Sequence, residues 1–358
     1  MDYRSLNLGF TENLIQEAAL CPDLYLGRVI AQYKDLYKVA TPVNEILAEI
    51  SGKLRHSSDD LPDFPAVGDF VLLDRNDNLH GNAIISQVLK RKSLFVRRAA
   101  GTAHNAQVVA ANIDTAFICM SLNSDFNLRR LERYLSITWD SGASPVIVLT
   151  KADLCEDLSF KLSEIDKVAA GVELVVTSSI TEDGYKSILK YVEPGKTIAF
   201  MGSSGVGKSS LINRLLGEDV LTTREIRKDD KGRHATTNRE LLLIPFGGAV
   251  IDTPGMRELG VENVNLSKTF SDIEEFAEQC RFKDCRHENE PGCTVLLAIE
   301  QGRLDKERLI SYKKLKKEAK YEGLNSRQIE KEKIGTMFSD FDGIKNARAY
   351  AKSKNTYK

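Results

Sequence analysis

The residues with the clearest chemical potential form a glycine-rich loop that ends in lysine and serine. The loop and the residue after it are Gly202, Ser203, Ser204, Gly205, Val206, Gly207, Lys208, Ser209 and Ser210. Glycines at this spacing let successive backbone N–H groups point at phosphates, and the next helix N-terminus adds positive potential. Lys208 would reach the β and γ phosphates, and Ser209 would ligate Mg²⁺. An apolar strand before the loop and a helix after it disfavour the alternative, a chance match on a turn.

A second phosphate-related motif closes another apolar strand, some 45 residues after the loop. It begins at Asp252 and runs through Thr253 and Pro254 to Gly255. Asp252 is placed to hold Mg²⁺ through water, and the Gly255 N–H can sense a γ-phosphate. The tetrapeptide alone is a common turn. Its position after a strand and a phosphate loop supports a role in binding Mg²⁺ and the γ-phosphate.

A third motif has the residue types that read guanine. Thr150, Lys151 and Asp153 follow an apolar strand, at the edge where open α/β sheets bind ligands. Asp153 can accept two hydrogen bonds from guanine, whereas adenine would leave this carboxylate unpaired. Lys151 would lie along the base. The usual first residue of this motif is Asn. With Thr150 in its place, we expect a weaker supporting hydrogen bond and a modest loss of affinity or selectivity for guanine.

The order of these motifs is inverted relative to an ordinary GTPase. The guanine motif comes about fifty residues before the phosphate loop instead of after it. Ser178 and Ser179, after the next predicted strand, fit the loop whose backbone contacts guanine O6. The order predicts a GTPase fold that has been cut and rejoined. A P-loop ATP-dependent kinase is an alternative, which Asp153 and the absence of an acceptor-site signature disfavour.

Three cysteines and a histidine lie within fourteen residues of the C-terminal third. The candidate ligands are Cys280, Cys285, His287 and Cys293. A Cys₃His set can complete a tetrahedral Zn²⁺ site, and such a closed site is structural. A redox disulfide pair is the alternative, which a reducing compartment disfavours. The other cysteines, Cys21, Cys119 and Cys155, are scattered and predict no disulfide framework.

Composition bounds the class of protein. The chain has 358 residues, 42% hydrophobic and 28% charged, which is typical of a globular protein of two or three domains. The sequence contains no apolar run of the ~18 residues that a membrane span needs and no signal-peptide core. We therefore expect a cytoplasmic protein without a membrane partner. Net charge is −1, but residues 302–358 carry 16 Lys and Arg against 8 Asp and Glu, which favours contact with a polyanion.

The pattern along the chain predicts a multidomain α/β protein. The first ~25 residues suggest a mobile arm or a short helix, and short β segments from about residue 27 to 107 predict an OB-type barrel. After residue 112, buried strands alternate with helices, as in a parallel sheet covered on both faces. We expect an N-terminal RNA-binding unit at 1–108, a permuted P-loop GTPase domain at 109–264, and a helical zinc-binding domain at 265–358.

With its guanine motif before its phosphate loop, the chain resembles the RsgA family of circularly permuted GTPases that act on the small ribosomal subunit. The likeness covers about residues 27–320 and includes residues 110–114, 128–134, 232–237 and the cysteine cluster. It implies an OB barrel, a GTPase domain and a zinc domain. It also implies a role in late maturation of the small subunit, with GTP hydrolysis to GDP stimulated by that subunit.

The resemblance also suggests roles in the charged stretch between the phosphate loop and Asp252. Thr236 or Thr237 resembles the threonine that closes on Mg²⁺ and the γ-phosphate, and we favour Thr237 as the ligand. Met256 stands where many GTPases have the Gln that orients water, so hydrolysis by the free protein should be slow. His234 is the candidate water-positioning residue, although a loop histidine is more often simply solvent-exposed.

Two basic segments are candidate contacts with rRNA. Lys90, Arg91, Lys92, Arg97 and Arg98 flank Leu94-Phe95-Val96, which we place on a barrel strand, and a run of lysines follows in the tail (Lys313, Lys314, Lys316, Lys317 and Lys320). Either segment alone could be a solvated face. The leading hypothesis is a monomeric GTPase that binds the small subunit and leaves after hydrolysis; the alternative is a GTP-gated factor for another RNA.

Overall fold

The computed structural model describes residues 3–34, 36–57, 63–98, 106–123, 125–178, 183–217, 239–252 and 266–321. Within these ranges, three hydrophobic clusters organise the chain. One fills a β-barrel, and the other two lie on opposite faces of an α/β sheet. No helix in the described ranges has the length and apolar character needed to cross a bilayer.

The N-terminal barrel confirms the predicted OB-type unit. Its strands are β1 (Tyr25–Gln32), β2 (Tyr37–Ala40), β3 (Glu45–Ile50), β4 (Phe70–Leu73) and β5 (Ala83–Val88), and the helix α3 (Gly52–Ser57) follows β3. They run in the order β1-β2-β3-β5-β4, and β4 pairs back with β1 to close the barrel. Alternate residues of β3 are buried, because successive side chains of a strand point to opposite faces.

The segment 94–96 is not part of this barrel, so its placement on a barrel strand is wrong. β6 (Leu94–Arg98) pairs only with β7 (Ala106–Ala111), in a separate antiparallel hairpin among the described strands. Phe95 is 1% exposed and belongs to the cluster that runs under the α/β sheet. Its short apolar run is therefore explained by tertiary packing outside the barrel.

The central sheet confirms the permuted GTPase architecture. Its strands are β8 (Thr115–Ser121), β9 (Ser144–Thr150), β10 (Glu173–Val176), β11 (Thr197–Met201), β12 (Arg239–Leu243) and β13 (Ala249–Asp252). The order is β10-β9-β8-β11-β13-β12, parallel except for β12. The helices α4 (Leu128–Ser141) and α5 (Leu158–Ala169) cover one face, and α6 (Asp183–Leu189) and α7 (Lys208–Leu216) cover the other.

The N-terminal arm is docked, so the mobile-arm alternative is wrong and the helical one is confirmed. The arm contains α1 (Tyr3–Asn7) and α2 (Glu12–Ala19), and Leu8 and Phe10 between them are each 1% exposed. The fully buried Arg28 of β1 donates hydrogen bonds to Leu8 O (2.7 Å), Gly68 O (3.2 Å) and Thr197 Oγ1 (2.8 Å). Burial lowers the pKa of Arg28 to about 10. This one guanidinium joins the arm, the barrel and the α/β sheet.

The C-terminal part of the described chain is helical. It contains α8 (Ser271–Glu278), α9 (Thr294–Glu300) and α10 (Lys306–Tyr321). Phe270, Ile273, Val295 and Leu309 are at most 5% exposed and share a cluster with α4 and α5. The C-terminal helices therefore pack on the guanine-motif half of the sheet.

Candidate functional site

The phosphate loop connects β11 to α7, as its sequence predicts. Gly202, Gly205 and Gly207 have φ values of 134°, 81° and 97°, a region that side chains rarely adopt. A Cβ on Gly202 would lie 2.3 Å from Cys119 O, so the loop can approach β8 only with glycine there. The Lys208 ammonium donates hydrogen bonds to Gly202 O (2.8 Å) and to Ser203 O. It is therefore held inside the loop, where phosphates would bind.

Ser209, Ser210 and Asp252 lie beside this loop. Ser209 and Ser210 occupy the first turn of α7, where Ser209 is half-buried and Ser210 exposed. Asp252 ends β13, which runs parallel to β11 with Ala199 opposite Ile251. Both strands thus end at the same edge of the sheet, which brings the carboxylate of Asp252 toward the phosphate loop.

The guanine motif lies at the same edge, after β9. Lys151 has a left-handed φ of 57°, and a short 3₁₀ turn over Ala152–Leu154 follows it. Asp153 is exposed, and its Oδ1 accepts a 2.5 Å hydrogen bond from Ser178 Oγ. The structure therefore brings together Asp153 and Ser178, which are 25 residues apart in the sequence.

Thr150 links the guanine motif to the phosphate loop. Its side chain is buried, and Oγ1 donates a 2.6 Å hydrogen bond to Val206 O. The Thr150 methyl also lies 3.9 Å from the position a Cβ on Gly207 would take. The hydroxyl thus supplies a supporting bond at the position where the sequence predicted a weakened one.

Several predicted site residues lie outside the described ranges. They are Ser179, His234, Thr236, Thr237 and Gly255. Their assignments stay predictions from the sequence.

The four predicted metal ligands converge, with their ligating atoms within 4.8 Å of one another. Cys280 Sγ lies 3.9 Å from Cys293 Sγ and 3.7 Å from His287 Nδ1, and His287 Nδ1 lies 3.4 Å from Cys293 Sγ. A tetrahedral Zn²⁺ with Zn–S bonds of about 2.3 Å would hold two sulfur ligands about 3.8 Å apart. The cluster can therefore hold one metal ion.

Local backbone structure builds this cluster. Cys293 caps the N-terminus of α9, and its Sγ accepts a hydrogen bond from Leu296 N (3.5 Å). Burial opposes the thiolate of Cys280, but backbone N–H groups of Val295 and Thr294 hold its pKa below the usual value. Burial, together with the charge of Lys313, lowers the pKa of His287 and favours the neutral imidazole that binds metals.

A carboxylate organises the loop between the last ligands. Glu290 accepts hydrogen bonds from the backbone N–H groups of Glu288 (2.8 Å), Arg286 (2.9 Å) and Asn289 (3.1 Å). These bonds lower the pKa of Glu290 to about 2. The loop between Cys285 and Cys293 is thus preorganised around one ionised side chain.

Sequence reasoning missed a buried ion-pair network between α4 and the C-terminal helices. The side chains of Glu132 and Arg308 are 0% and 6% exposed, and Arg308 Nη1 donates to Glu132 Oε1 at 2.8 Å. Arg308 also binds Asp272 (2.7 Å) and the carbonyl of Thr269 (2.7 Å). An acidic residue among the apolar positions of α4 was the available signal. One turn earlier, Arg129 bridges Glu132 (2.7 Å) and Asp305 (3.1 Å).

The two basic segments contain both structural and exposed cations. Arg91 binds the fully buried Asp69 through two hydrogen bonds of 2.8 and 2.7 Å, which corrects its assignment to an RNA-facing patch. Lys92 pairs with Asp114 at 2.7 Å. In α10, Lys313 donates to His287 O (2.9 Å), whereas the side chains of Lys314 and Lys317 are exposed.

Comparisons with known proteins agree with this geometry. The family model described as RsgA GTPase matches residues 88–262. The small ribosomal subunit biogenesis GTPase RsgA 2 of Lactiplantibacillus plantarum is 51% identical over 324 residues, covering 90% of this chain and 91% of that protein. The corresponding RsgA of Methanosarcina acetivorans is 43% identical over 338 residues, covering 92% and 90%.

Two solved structures share the architecture. YjeQ from Thermotoga maritima is 29% identical, with a TM-score of 0.61 over 83% of this chain and 98% of that one. YloQ, described as a circularly permuted GTPase, is 25% identical, with a TM-score of 0.58 over 83% and 95%. The inverted motif order, the sheet topology and these relatives together show that the chain belongs to the RsgA family of circularly permuted GTPases.

Proposed function

We propose that this protein binds the small ribosomal subunit in its GTP-bound form and hydrolyses GTP to GDP and phosphate late in subunit maturation. Contact with the subunit and its rRNA stimulates hydrolysis and leads to release. The protein acts in the cytoplasm as a monomer. The observation that carries the nucleotide part of this proposal is the Thr150–Val206 bond of 2.6 Å, which fixes the guanine motif against the phosphate loop.

Guanine selectivity comes from Asp153. Its carboxylate accepts from the N1–H and N2 amine of guanine, while the bond from Ser178 Oγ (2.5 Å) fixes the orientation of Oδ1. Adenine lacks the matching donor pair, so these two hydrogen bonds to the base would be lost. Backbone N–H groups of Ser178 and Ser179 are suited to the guanine O6.

The phosphate loop positions the triphosphate, and the remaining groups act at the γ-phosphate. Loop N–H groups and Lys208 neutralise the β and γ oxygens. Ser209 and Thr237 would hold Mg²⁺, with Asp252 acting through water, and the ion would supply charge neutralisation at the phosphates. His234 positions the attacking water, because Met256 has no group that can do so.

We infer that the metal of the Cys₃His cluster is Zn²⁺. Three thiolates and one imidazole are the ligands this ion prefers in closed structural sites. Cys280, just after α8, and Cys293, at the N-terminus of α9, would hold the ion, which would link these two helices. The exposed Lys314 and Lys317 on the neighbouring α10 are candidates for phosphate contacts with rRNA, and such contacts would be strongly salt-dependent.

The test compares GTP and ATP turnover with and without purified small subunits. We expect GTP to be preferred over ATP, and purified subunits to raise the turnover of GTP. Lys208→Ala is the control that should abolish turnover while the thermal transition stays in place. Subunits that neither stimulate GTP turnover nor retain the protein with a non-hydrolysable analogue would reject the ribosomal role. Stimulation by another RNA alone would favour a factor for that RNA.

A further inference from the structure

The helix α4 contacts the C-terminal helices on one side and the start of the phosphate loop on another. Its apolar side chains Leu131 and Leu135 are each 1% exposed and pack in the cluster under the sheet. Residues three or four positions apart share one face of a helix. The polar contacts of α4 therefore fall into two sets, which lie on different faces.

The first set holds the C-terminal helices. Arg129 pairs at 3.1 Å with Asp305, which immediately precedes α10. Arg133, four residues further along α4, pairs with Glu318 of α10 at 2.9 Å. The buried ion pair described above joins the same two helices. A displacement of α10 would therefore act directly on α4.

The second set faces the phosphate loop. Tyr134 is 8% exposed and lies beside Ser203 of the loop. Thr138, one turn later on the same face, has its hydroxyl 3.4 Å from the sulfur of Met201, the residue that ends β11. Burial raises the pKa of the Tyr134 hydroxyl, which is therefore protonated at neutral pH and can donate a hydrogen bond. The helix thus contacts both the loop and the strand that leads into it.

Ser203 is connected in turn to the lysine of the loop. The Lys208 ammonium donates hydrogen bonds to Gly202 O (2.8 Å) and to Ser203 O. A bound triphosphate would take these donors, because the lysine of such a loop reaches the β and γ phosphates. Lys208 therefore has two arrangements, one on the loop carbonyls and one on phosphate oxygens. A group that fixes Ser203 affects the balance between them.

We propose that Tyr134 is a positioning residue, which keeps Ser203 in place when Lys208 moves to the phosphates and which transmits the attachment of α10 to the phosphate loop. Tyr134 acts through Ser203 and not on the nucleotide itself. GTP should depend on this contact more than GDP, because Lys208 can reach two phosphates of GTP beyond the α phosphate and only one of GDP. The inference rests on the phosphate-loop part of the proposed function and not on its ribosomal part.

The experiment measures the dissociation constants of the full-length protein for GDP and for a non-hydrolysable GTP analogue, both with Mg²⁺. Tyr134→Phe should weaken binding of the analogue about twofold to tenfold, the effect of one neutral hydrogen bond, and should weaken GDP binding less. Tyr185→Phe is the matched control, because its hydroxyl donates to Arg214 O (3.0 Å) on the opposite face of the sheet. The control should leave the ratio of the two affinities unchanged.

Ser203→Ala tests whether Tyr134 acts through this serine. It should weaken binding of the analogue about as much as Tyr134→Phe does. The double variant should bind no more weakly than either single variant, because both substitutions remove the same contact. Additive losses would contradict the assignment of Ser203 as the partner of Tyr134.

Arg133→Met tests the connection to α10, because it removes the pair with Glu318 and keeps the Tyr134 hydroxyl. We expect faster amide hydrogen exchange in the peptide that contains Ser203, since exchange reports local opening of the backbone. No such increase is expected when Arg133→Met is made in the Tyr134→Phe protein. Lys306→Met, at an exposed cation of α10, is the control and should leave this exchange unchanged.

Two results would overturn the proposal. One is an unchanged ratio of analogue to GDP affinity in Tyr134→Phe. The other is exchange at Ser203 that Arg133→Met leaves unchanged, or raises equally with and without the Tyr134 hydroxyl. None of these measurements uses small subunits, so a failure of the ribosomal role and a failure of this proposal are separate outcomes.

Discussion

At the scale of residues, single hydrogen bonds connect motifs that are far apart in the sequence. Thr150 Oγ1 reaches Val206 O over 56 positions, and Ser178 Oγ reaches Asp153 over 25. Both bonds lie at the carboxyl edge of the sheet, where the base and phosphates of one nucleotide must be held at a fixed separation. The short hydroxyl side chain of Thr150 can reach Val206 O because the phosphate loop lies close to the end of β9.

Thr150→Val should weaken nucleotide binding as well as stability. Valine keeps the shape but leaves Val206 O without its donor, at a cost of about 1–3 kcal/mol, and the phosphate loop loses its tie to the guanine motif. GDP affinity from isothermal titration should fall, together with the melting temperature. Thr177→Val is the matched control, because its hydroxyl donates to Leu149 O (3.2 Å) within the sheet. Equal losses of GDP affinity in both variants would contradict the role given to Thr150.

At the scale of elements, the sequence predicted those parts whose signals are local. β8, β9, β11 and β13 are short apolar runs, and Gly217 ends α7 at φ 71°, in the left-handed region that glycine favours at a helix C-terminus. The cysteine spacing likewise predicted a cluster that the fold assembles. The β6–β7 hairpin and the docked arm were not predicted, because Phe95 and Phe10 are buried by elements distant in sequence.

The metal cluster should be necessary for the fold of the C-terminal helices. Structural Zn²⁺ contributes about 10–16 kcal/mol in small zinc-binding peptides, and α8 and α9 contain only 8 and 7 residues. Chelation or Cys285→Ser should therefore lower helical circular dichroism and expose this region to proteolysis, with GDP affinity retained. Cys155→Ser, at a half-buried cysteine outside the cluster, is the control. Freshly purified protein without stoichiometric zinc, or an unchanged proteolytic pattern after chelation, would rule out this role.

At the scale of the molecule, three contacts connect the outer units to the central α/β unit. Arg28 bonds to Thr197 of β11 and β1 pairs with β12, which joins the barrel to the sheet. Arg308 with Glu132 joins the C-terminal helices to α4. In the sequence, Gly255 stands shortly before Cys280, so we expect a nucleotide-driven shift at Gly255 to reach the metal cluster along the chain. The network adds a second route through α4, because Tyr134 of that helix lies beside Ser203 of the phosphate loop, where burial raises the pKa of the Tyr134 hydroxyl.

The Arg308 network should therefore control how firmly the C-terminal helices are held. Arg308→Met leaves Glu132 buried with only Arg129, and loss of one partner of a buried pair costs about 3–5 kcal/mol. Differential scanning calorimetry should show a lower, separate transition for the C-terminal helices. Small-subunit stimulation of GTP turnover should fall more than basal turnover. Arg303→Met is the matched control, since Arg303 is exposed and its side chain contacts Gln301 Oε1 (2.9 Å) and the Phe276 ring (5.2 Å), away from Glu132.

The double variant Glu132→Met with Arg308→Met decides whether the two residues act as a pair. Removing both buried charges leaves Arg129 and Asp272 with side chains 31% and 36% exposed, so water can solvate them. The double variant should lose about 1–3 kcal/mol less than the sum of the single variants, because the unpaired-charge penalty disappears. If the double variant recovers stability but not stimulation by the small subunit, the two charges themselves are needed to transmit that stimulation to the GTPase site. Additive losses would mean that Glu132 and Arg308 contribute independently, and that α4 carries no signal through this pair.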